Sequence, residues 1–182
     1  VITDGEKPVA IAGVMGGLDS GITENTTAVL FEGAAFNADN IRATSKKLGL
    51  RTEASGRYEK GICTELSITG VERACQLVEM LGAGRVLRGT VEDYPVKQET
   101  LTLTVNPSRI IKHIGIDLSL DGFVKILEDL EFKCDLKSAE EVVIEVPAFR
   151  LDIEQEADIY EEIARIYGFE NIPSEQLEGN AT

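Results

Sequence analysis

The segment 150–173, RLDIEQEADIYEEIARIYGFENIP, constrains the fold more than any other part of the chain. Ile159, Ile163 and Ile166 recur at i, i+4 and i+7, which is the spacing of one helix face. The segment from Glu154 onward is therefore predicted to form an amphipathic helix, the last helix of the chain.

Four carboxylates accompany this apolar stripe. Asp158, Glu161 and Glu162 are spaced i, i+3 and i+4, so they share one helix face, and Asp152 lies just before the helix. Like charges at this spacing repel each other unless a cation lies among them, and carboxylate oxygens are the ligands that Mg²⁺ prefers. The pattern allows two interpretations: a hard-cation site, or a solvated helix face on which Arg165 neutralises Glu161 at i+4.

The composition is that of a soluble globular protein. The 182 residues are 43% hydrophobic and 27% charged, and no apolar run approaches the roughly 20 residues needed to cross a bilayer. There is no secretory signal, and three cysteines without a CxxC motif argue against a disulfide framework or a structural zinc site. A reducing cytoplasm is the expected location. Because the first residue is Val1 and not Met, we expect a piece of a longer protein.

Charge and histidine content limit the possible functions. The net charge is −14, divided into −3 for residues 1–95 and −11 for residues 96–182, so the second half cannot grip a phosphate backbone by bulk electrostatics. The only histidine is His113, on which any Ser-His-Asp or Cys-His chemistry would depend. Its position after Ile110 and Ile111 on a short predicted helix favours a packing role.

The patterns divide the chain into two units that join near residues 90–100, and the first unit mixes strands and helices. We predict a strand at Val9–Ala12 followed by a glycine-rich turn at 13–17, a buried strand at Thr27–Ala34, a helix from an Asn37 cap to Leu48, a loop at 51–61, a helix at Cys63–Leu81 and a strand at Arg85–Val91.

The second unit has the predicted order β-α-α-β-β-α, which makes the fold class α+β. Its predicted elements are a strand at 101–105, a helix capped by Asn106 and ended by Gly115, a helix capped by Ser119, a hairpin at 132–146 and the acidic helix. This order resembles a winged helix-turn-helix, which usually binds DNA through a basic second helix. Here that helix carries three carboxylates against Lys125 alone, so we expect no duplex DNA as ligand.

Four motifs resemble one family, the bacterial phenylalanyl-tRNA synthetase β subunit. They are AIAGVMGGLDSG at 10–21, FEGAAFN at 31–37, LRTEASGRYEKG at 50–61 and PAFRLDIEQEADIYEEIARIYGFENIP at 147–173, in the family's order and spacing. The resemblance implies a partial B3/B4-type mixed α/β editing domain at 1–92, a winged-helix-like B5 domain at 98–173, and a tail or truncated linker at 174–182.

The resemblance also implies two sites. The family's Mg²⁺ site, shared with the α subunit, matches Asp152, Asp158, Glu161 and Glu162, and the family's editing pocket matches Gly16, Glu32, Thr52 and Ala54. The family pocket also uses a histidine from an upstream part of the domain, and His113 is no substitute for it.

The editing residues suit the task of removing tyrosine from tRNA. A hydrophobic pocket rejects an added hydroxyl poorly, by roughly two orders of magnitude, so a second site that hydrogen-bonds the hydroxyl is needed. We expect Glu32 to accept that hydroxyl and Thr52 to position the ester or a water molecule. Pairing of Glu32 with Arg42 or Arg57 is an alternative from the sequence alone, and Gly16, Thr52 and Ala54 can also be read as turn residues.

By this resemblance the parent enzyme is an α₂β₂ tetramer that joins phenylalanine to tRNA-Phe with ATP bound by the α subunit. The chain would help to hydrolyse mischarged tyrosyl-tRNA-Phe, would carry an Mg²⁺-binding scaffold helix and would be inactive alone, with no membrane as partner. One alternative is a nonenzymatic subunit-interaction module whose acidic helix only packs against a partner. A free-standing Mg²⁺-dependent hydrolase is a third reading, but no general base accompanies the carboxylates.

Overall fold

A small antiparallel sheet and a glycine turn open the chain in the computed structural model, which describes residues 1–174. The strands β1 (Ile2–Thr3), β2 (Pro8–Ile11) and β3 (Met15–Gly16) pair in the order β1-β2-β3. Gly13 lies in the turn with a φ of 64°, in the left-handed region that favours glycine. The predicted strand near Val9 is confirmed, but the turn is shorter than the predicted 13–17 because Met15 and Gly16 form β3. These elements belong to the first of two units, residues 1–98.

Three helices follow in this unit. They are α1 (Ala38–Leu48), α2 (Glu53–Tyr58) and α3 (Leu66–Met80). Helix α1 begins where the sequence predicts, because the Asn37 side chain accepts a hydrogen bond from the Asn40 amide. It ends at Gly49, which adopts the left-handed conformation and donates its amide to the last turn.

Three predictions for the first unit are wrong. The segment from Thr27 to Ala34 forms no strand and is mostly exposed, with Leu30 97% exposed. Residues 85–91 also form no strand. Both segments have apolar content but find no partner edge on the short β1-β2-β3 sheet, and a strand needs a ladder partner. The predicted loop at 51–61 contains helix α2, because Thr52 and Ser55 form a capping box that starts it.

The first unit has a small core. Its buried apolar residues are Val14, Ile41 and Cys63. The apolar side of α3 is only partly covered, since Leu66 and Leu77 on the helix and Leu81 directly after it are exposed. The helix is therefore present where its pattern predicts it, but its apolar face is not sealed by other described residues of the unit.

The second unit, from Glu99 onward, contains the better core. Its elements are β4 (Thr102–Val105), α4 (Pro107–Ile114), α5 (Leu120–Asp129), β5 (Lys133–Ser138), β6 (Glu141–Glu145) and α6 (Glu156–Tyr167). The strands form one antiparallel sheet in the order β4-β6-β5. The α+β fold class and the order of elements in this unit agree with the sequence prediction.

Side-chain caps set the helix positions in this unit. Asn106 accepts from the Arg109 amide and Pro107 occupies the first turn of α4, which ends at Gly115 in the left-handed conformation. Ser119 caps α5 in the same way through the Gly122 amide. Each of these caps was predicted from the sequence.

Helix α6 packs its apolar stripe into the core that the sheet and helices enclose. Ile159 and Ile163 are fully buried, together with Phe123 and Leu127 of α5. Burial of each such side chain stabilises the unit by about 1.5–3 kcal/mol. Ile166, the third member of the stripe, remains exposed. The strong amphipathic signal of this segment thus marks the helix that completes the core.

Two further observations bear on the sequence predictions. The three cysteines, Cys63, Cys75 and Cys134, are free, and burial followed by the nearby Glu128 raises the pKa of Cys134 to about 11. None of the helices within residues 1–174 has the length and apolar character required to span a bilayer. The predicted tail covers residues 174–182, and all of it except Ser174 lies outside the described residues.

Candidate functional sites

Glu32 lines an open cleft on one side of the first unit. The cleft has a volume of about 240 Å³. The segment that carries Glu32 and helix α3 both line it, and so does Tyr58 at the end of α2. Its apolar lining includes Phe31, Ala34, Ile62, Leu66, Val71 and Ala74. Glu32 is the only carboxylate among the lining residues.

The wall that carries Glu32 lies very close to α3 at Gly33. A Cβ atom built on Gly33 would lie 2.6 Å from the Ser67 carbonyl oxygen and 2.6 Å from a Val71 methyl carbon. Contacts this short do not occur between real Cβ atoms and backbone, so a larger residue would push the segment away from the helix. Gly33 therefore sets the width of the cleft and the position of the neighbouring Glu32.

The phenol of Tyr58 lies close enough to Glu32 to respond to its charge. Burial, followed by the charge of Glu32, raises the pKa of Tyr58 above its usual value. The Tyr58 ring packs edge-on against Phe36, with 4.9 Å between ring centroids. The cleft thus combines apolar walls, one carboxylate and an aromatic hydroxyl, which is an environment suited to a second phenol.

The other three predicted editing residues lie elsewhere. The Thr52 hydroxyl donates to the Val14 carbonyl oxygen at 2.6 Å and accepts from the Ser55 amide at 3.1 Å. Gly16 pairs with Ala10 in the β2–β3 ladder. Thr52 therefore joins the start of α2 to the glycine turn, and its hydroxyl proton is already donated.

The structure does not bring Glu32 into one cleft with Gly16, Thr52 and Ala54. Six residues of α2, about 9 Å of helix, separate the Thr52 end from the Tyr58 end where Glu32 lies. Ala54 is exposed on the first turn of α2. The four residues thus do not form a single pocket in this structure.

The alternative pairing of Glu32 with an arginine is not what the structure shows. Arg42 donates to the Glu59 carbonyl oxygen at 3.2 Å, and Arg57 pairs with Glu53 across one helical turn. Both arginines are thus directed to groups other than the Glu32 carboxylate.

The carboxylates of the acidic helix are dispersed among several partners. Asp158 accepts the Glu154 and Gln155 amides at 2.8 and 2.9 Å, so it caps the start of α6. Asp152 accepts two hydrogen bonds from Arg150, at 2.9 and 2.7 Å. These bonds hold the pKa of Asp152 below its usual value.

Glu162 is the one buried acid of the group, at 5% exposure. It accepts from Arg150 at 2.7 Å and from Arg165 at 3.2 and 2.8 Å. Burial alone would raise the pKa of Glu162, but these bonds hold it below its usual value. The sequence interpretation that Arg165 neutralises Glu161 needs correction, because Arg165 bonds to Glu162 at i+3, and its interaction with the exposed Glu161 is only electrostatic.

The predicted magnesium ligands do not fit a metal ion in this arrangement. Mg²⁺ requires oxygen ligands at about 2.0–2.1 Å in near-octahedral geometry, whereas Asp152 and Glu162 face guanidinium groups and Asp158 faces backbone amides. Within residues 1–174 no group of three or more His, Cys, Asp or Glu side chains is arranged to hold a metal. The chemistry proposed for this chain is therefore not routed through a metal at these residues.

Sequence reasoning missed the roles of Arg150 and Tyr58. Arg150 precedes Asp152 by two residues, and this short spacing is the only local signal of their bond. Its second partner, Glu162, lies twelve residues away and depends on folding. The expectation of a packing role for His113 is met only in part, because the residue is exposed and its ring lies edge-on to Tyr160 of α6 with 5.2 Å between centroids.

Comparison with known proteins agrees with both units. Residues 1–83 match the family of the B3/4 domain, and residues 103–169 match the family of the tRNA synthetase B5 domain.

Similar proteins include several bacterial phenylalanine–tRNA ligase β subunits. The protein of Clostridium acetobutylicum is 44% identical over 174 residues, that of Geobacter metallireducens 43% over 172, and that of Staphylococcus haemolyticus 44% over 174. These alignments cover 96%, 94% and 96% of this chain and 22% of each relative. The chain thus spans about a fifth of the length of the curated relatives it matches, and it belongs to the family of phenylalanine–tRNA ligase β subunits.

Proposed function

We propose that this chain is the B3/4–B5 segment of a phenylalanine–tRNA ligase and that its first unit helps to discriminate tyrosine from phenylalanine. The high identity along nearly the whole chain to proteins named as β subunits of this ligase supports the assignment. In the assembled enzyme, which would require Mg²⁺, the α subunit would bind ATP for aminoacylation of tRNA-Phe. An α₂β₂ assembly, a cytoplasmic location and domain limits of 1–92 and 98–173 belong to the same proposal.

The observation that carries the editing proposal is the lone carboxylate of Glu32 in an apolar cleft. A tyrosyl side chain would place its ring between the apolar walls and donate its hydroxyl to Glu32. A phenylalanyl ring would leave the carboxylate without a donor while removing water from it, and an unpaired polar group of this kind costs about 1–3 kcal/mol or more. Discrimination then arises from the penalty on phenylalanine.

The reaction proposed is attack of water on the aminoacyl ester, which releases free tyrosine and tRNA. Glu32 supplies specificity and forms no covalent bond. Thr52 contributes by positioning, because its hydroxyl holds the start of α2 to the glycine turn at Val14. We propose Gly16 and Ala54 as pocket residues only in the assembled enzyme. There, one substrate would have to contact both the Thr52 end and the Tyr58 end of α2.

The test uses the full β subunit assembled with its α subunit, and compares Glu32→Ala with the parent enzyme in hydrolysis of tyrosyl-tRNA and phenylalanyl-tRNA. A hydrogen bond to a charged group is worth about 1.5–3 kcal/mol, so the preference for the tyrosyl ester should fall by roughly 10- to 150-fold. Glu24→Ala is a matched control, since Glu24 is an exposed glutamate of the same unit that does not line the cleft. An unchanged preference in Glu32→Ala would remove Glu32 from the mechanism. We expect the 182-residue chain alone to show little editing activity.

A second candidate function is subunit interaction without catalysis. Four large apolar side chains on or next to the acidic helix remain exposed: Ile166 within it, Phe149 and Leu151 before it, and Phe169 after it. The bond between Arg150 and Glu162 joins the segment that precedes α6 to the helix itself. The exposed apolar side chains on these two segments are suited to packing against the α subunit. Titration of the α subunit with a Leu151→Ser, Phe169→Ser double variant would detect this role as weaker binding, with editing by the bound enzyme unchanged. Equal affinity for the parent and the double variant would exclude these side chains from the interface.

A further inference from the structure

Arg150 lies where a cation would be needed among the acidic residues of α6. Its Nε and Nη2 atoms donate to the two Asp152 oxygens at 2.9 and 2.7 Å, and its Nη1 atom donates to Glu162 Oε2 at 2.7 Å. One guanidinium therefore bridges two of the carboxylates that the family resemblance assigns to Mg²⁺. The fork geometry matches a carboxylate in a way that a lysine could not.

The Arg150 side chain is itself held in place. It is 16% exposed, and its guanidinium carbon lies 5.5 Å from the centroid of the Phe132 ring. A guanidinium over an aromatic face is stabilised by the ring quadrupole. Arg150 belongs to the segment 147–153 and bonds to Glu162 of α6. It therefore also fixes that segment against the helix.

Glu162 and Asp158 also accept hydrogen bonds from groups other than Arg150. Arg165 donates to both oxygens of Glu162, and Asp158 accepts two backbone amides. A divalent ion placed among these groups would therefore face two guanidinium charges and would need to displace three sets of hydrogen bonds. The repulsion expected between neighbouring carboxylates is relieved without a metal.

We infer that Arg150 is the internal counter-cation of the acidic helix, and that it excludes divalent cations from Asp152 and Glu162 in this chain. The inference goes beyond the proposed function and does not depend on the editing site. Arg150 is a positioning residue in this view. Removal of its charge should expose an oxygen-ligand site of the kind that Mg²⁺ or Mn²⁺ takes.

The experiment titrates the 182-residue chain with Mn²⁺ and follows free Mn²⁺ by electron paramagnetic resonance. We expect Arg150→Gln to bind one Mn²⁺ at least tenfold more tightly than the parent chain, and the double variant Arg150→Gln, Asp152→Asn to lose this gain. Arg109→Gln is the control. Arg109 pairs with Glu156, which lies on α6 as Glu162 does. Arg109→Gln therefore changes the net charge by the same amount as Arg150→Gln, but it leaves the group around Arg150 intact.

Tight binding of one Mn²⁺ by the parent chain that Asp152→Asn abolishes would overturn the inference, and so would equal affinities for Arg150→Gln and Arg109→Gln. If Arg150→Gln does not fold, as judged by circular dichroism, the parent titration decides the matter with thermal melts. Melting temperatures are measured with and without Mg²⁺ for the parent chain and for Asp152→Asn. The inference requires that Mg²⁺ raises the melting temperature of the parent chain no more than it raises that of the variant. A selective rise in the parent would overturn it, because a ligand that binds the native state stabilises it.

Discussion

Replacement of Glu162 by glutamine tests how much the arginine–carboxylate group stabilises the second unit. Glu162 is 5% exposed and accepts three hydrogen bonds from two guanidinium groups. Breaking a buried ion pair by removing one partner costs about 3–5 kcal/mol. The Arg165 side chain is 45% exposed, so its share is screened and small, and glutamine retains one acceptor. We therefore expect a loss of about 2–4 kcal/mol in the free energy of unfolding at pH 7.

The effect should depend on pH in a defined direction. The pKa of Glu162 is lower in the folded chain than its ordinary value, so the folded state favours the charged form. Stability from this group is present above the unfolded pKa of about 4.3 and is lost as the pH falls through the folded pKa. The difference between the parent chain and Glu162→Gln should therefore shrink below about pH 4.

Urea unfolding at pH 7 and pH 3.5, followed by amide hydrogen exchange in β6, measures both effects within the second unit. Glu161→Gln is the matched control, because it makes the same chemical change at the exposed neighbouring position and should alter stability by no more than about 0.5 kcal/mol. The reasoning is refuted if the two variants unfold at the same urea concentration at pH 7.

Three further predictions concern the first unit. Thr52→Ala should destabilise it by about 1–2 kcal/mol, because the cap of α2 and the bond to Val14 are both lost, while Thr52→Ser should retain most of the stability; amide exchange at Ser55 reports the difference. Gly33→Ala should move the cleft wall off α3 and lower the thermal midpoint, whereas Gly70→Ala, where an added Cβ meets open space, should not lower it. Tyr94→Phe removes a hydroxyl that joins Thr64, Glu65 and residue 98, so proteolysis within 85–98 should become faster; an unchanged cleavage rate would show that the hydroxyl does not restrain the segment.

Local signals in the sequence predicted the second unit well. Asn106 and Ser119 each bond to an amide three residues ahead, and Gly115 supplies the left-handed end of α4, so these boundaries depend only on neighbouring residues. The apolar spacing of Ile159 and Ile163 likewise predicted both the helix and its buried face.

The first unit shows where such signals are insufficient. The apolar segment from Thr27 to Ala34 has strand-like composition, but a strand exists only if another edge pairs with it. The helix α3 forms from its own periodicity, yet the burial of its apolar face depends on what packs over it. Composition could reveal neither whether a strand edge pairs with this segment nor what packs over the apolar face of α3.

The sequence by itself determined the family, the α+β class, the helix caps and the presence of an acidic last helix, because each of these is encoded within a few neighbouring residues or in motif order. Only the tertiary structure decided that Arg150 bridges Asp152 and Glu162, and that Glu32 shares a cleft with Tyr58 rather than with Thr52. The Arg150–Glu162 bond and the cleft shared by Glu32 and Tyr58 bring together residues that are distant in the chain. Packing and desolvation choose such partners, and no local spacing specifies them.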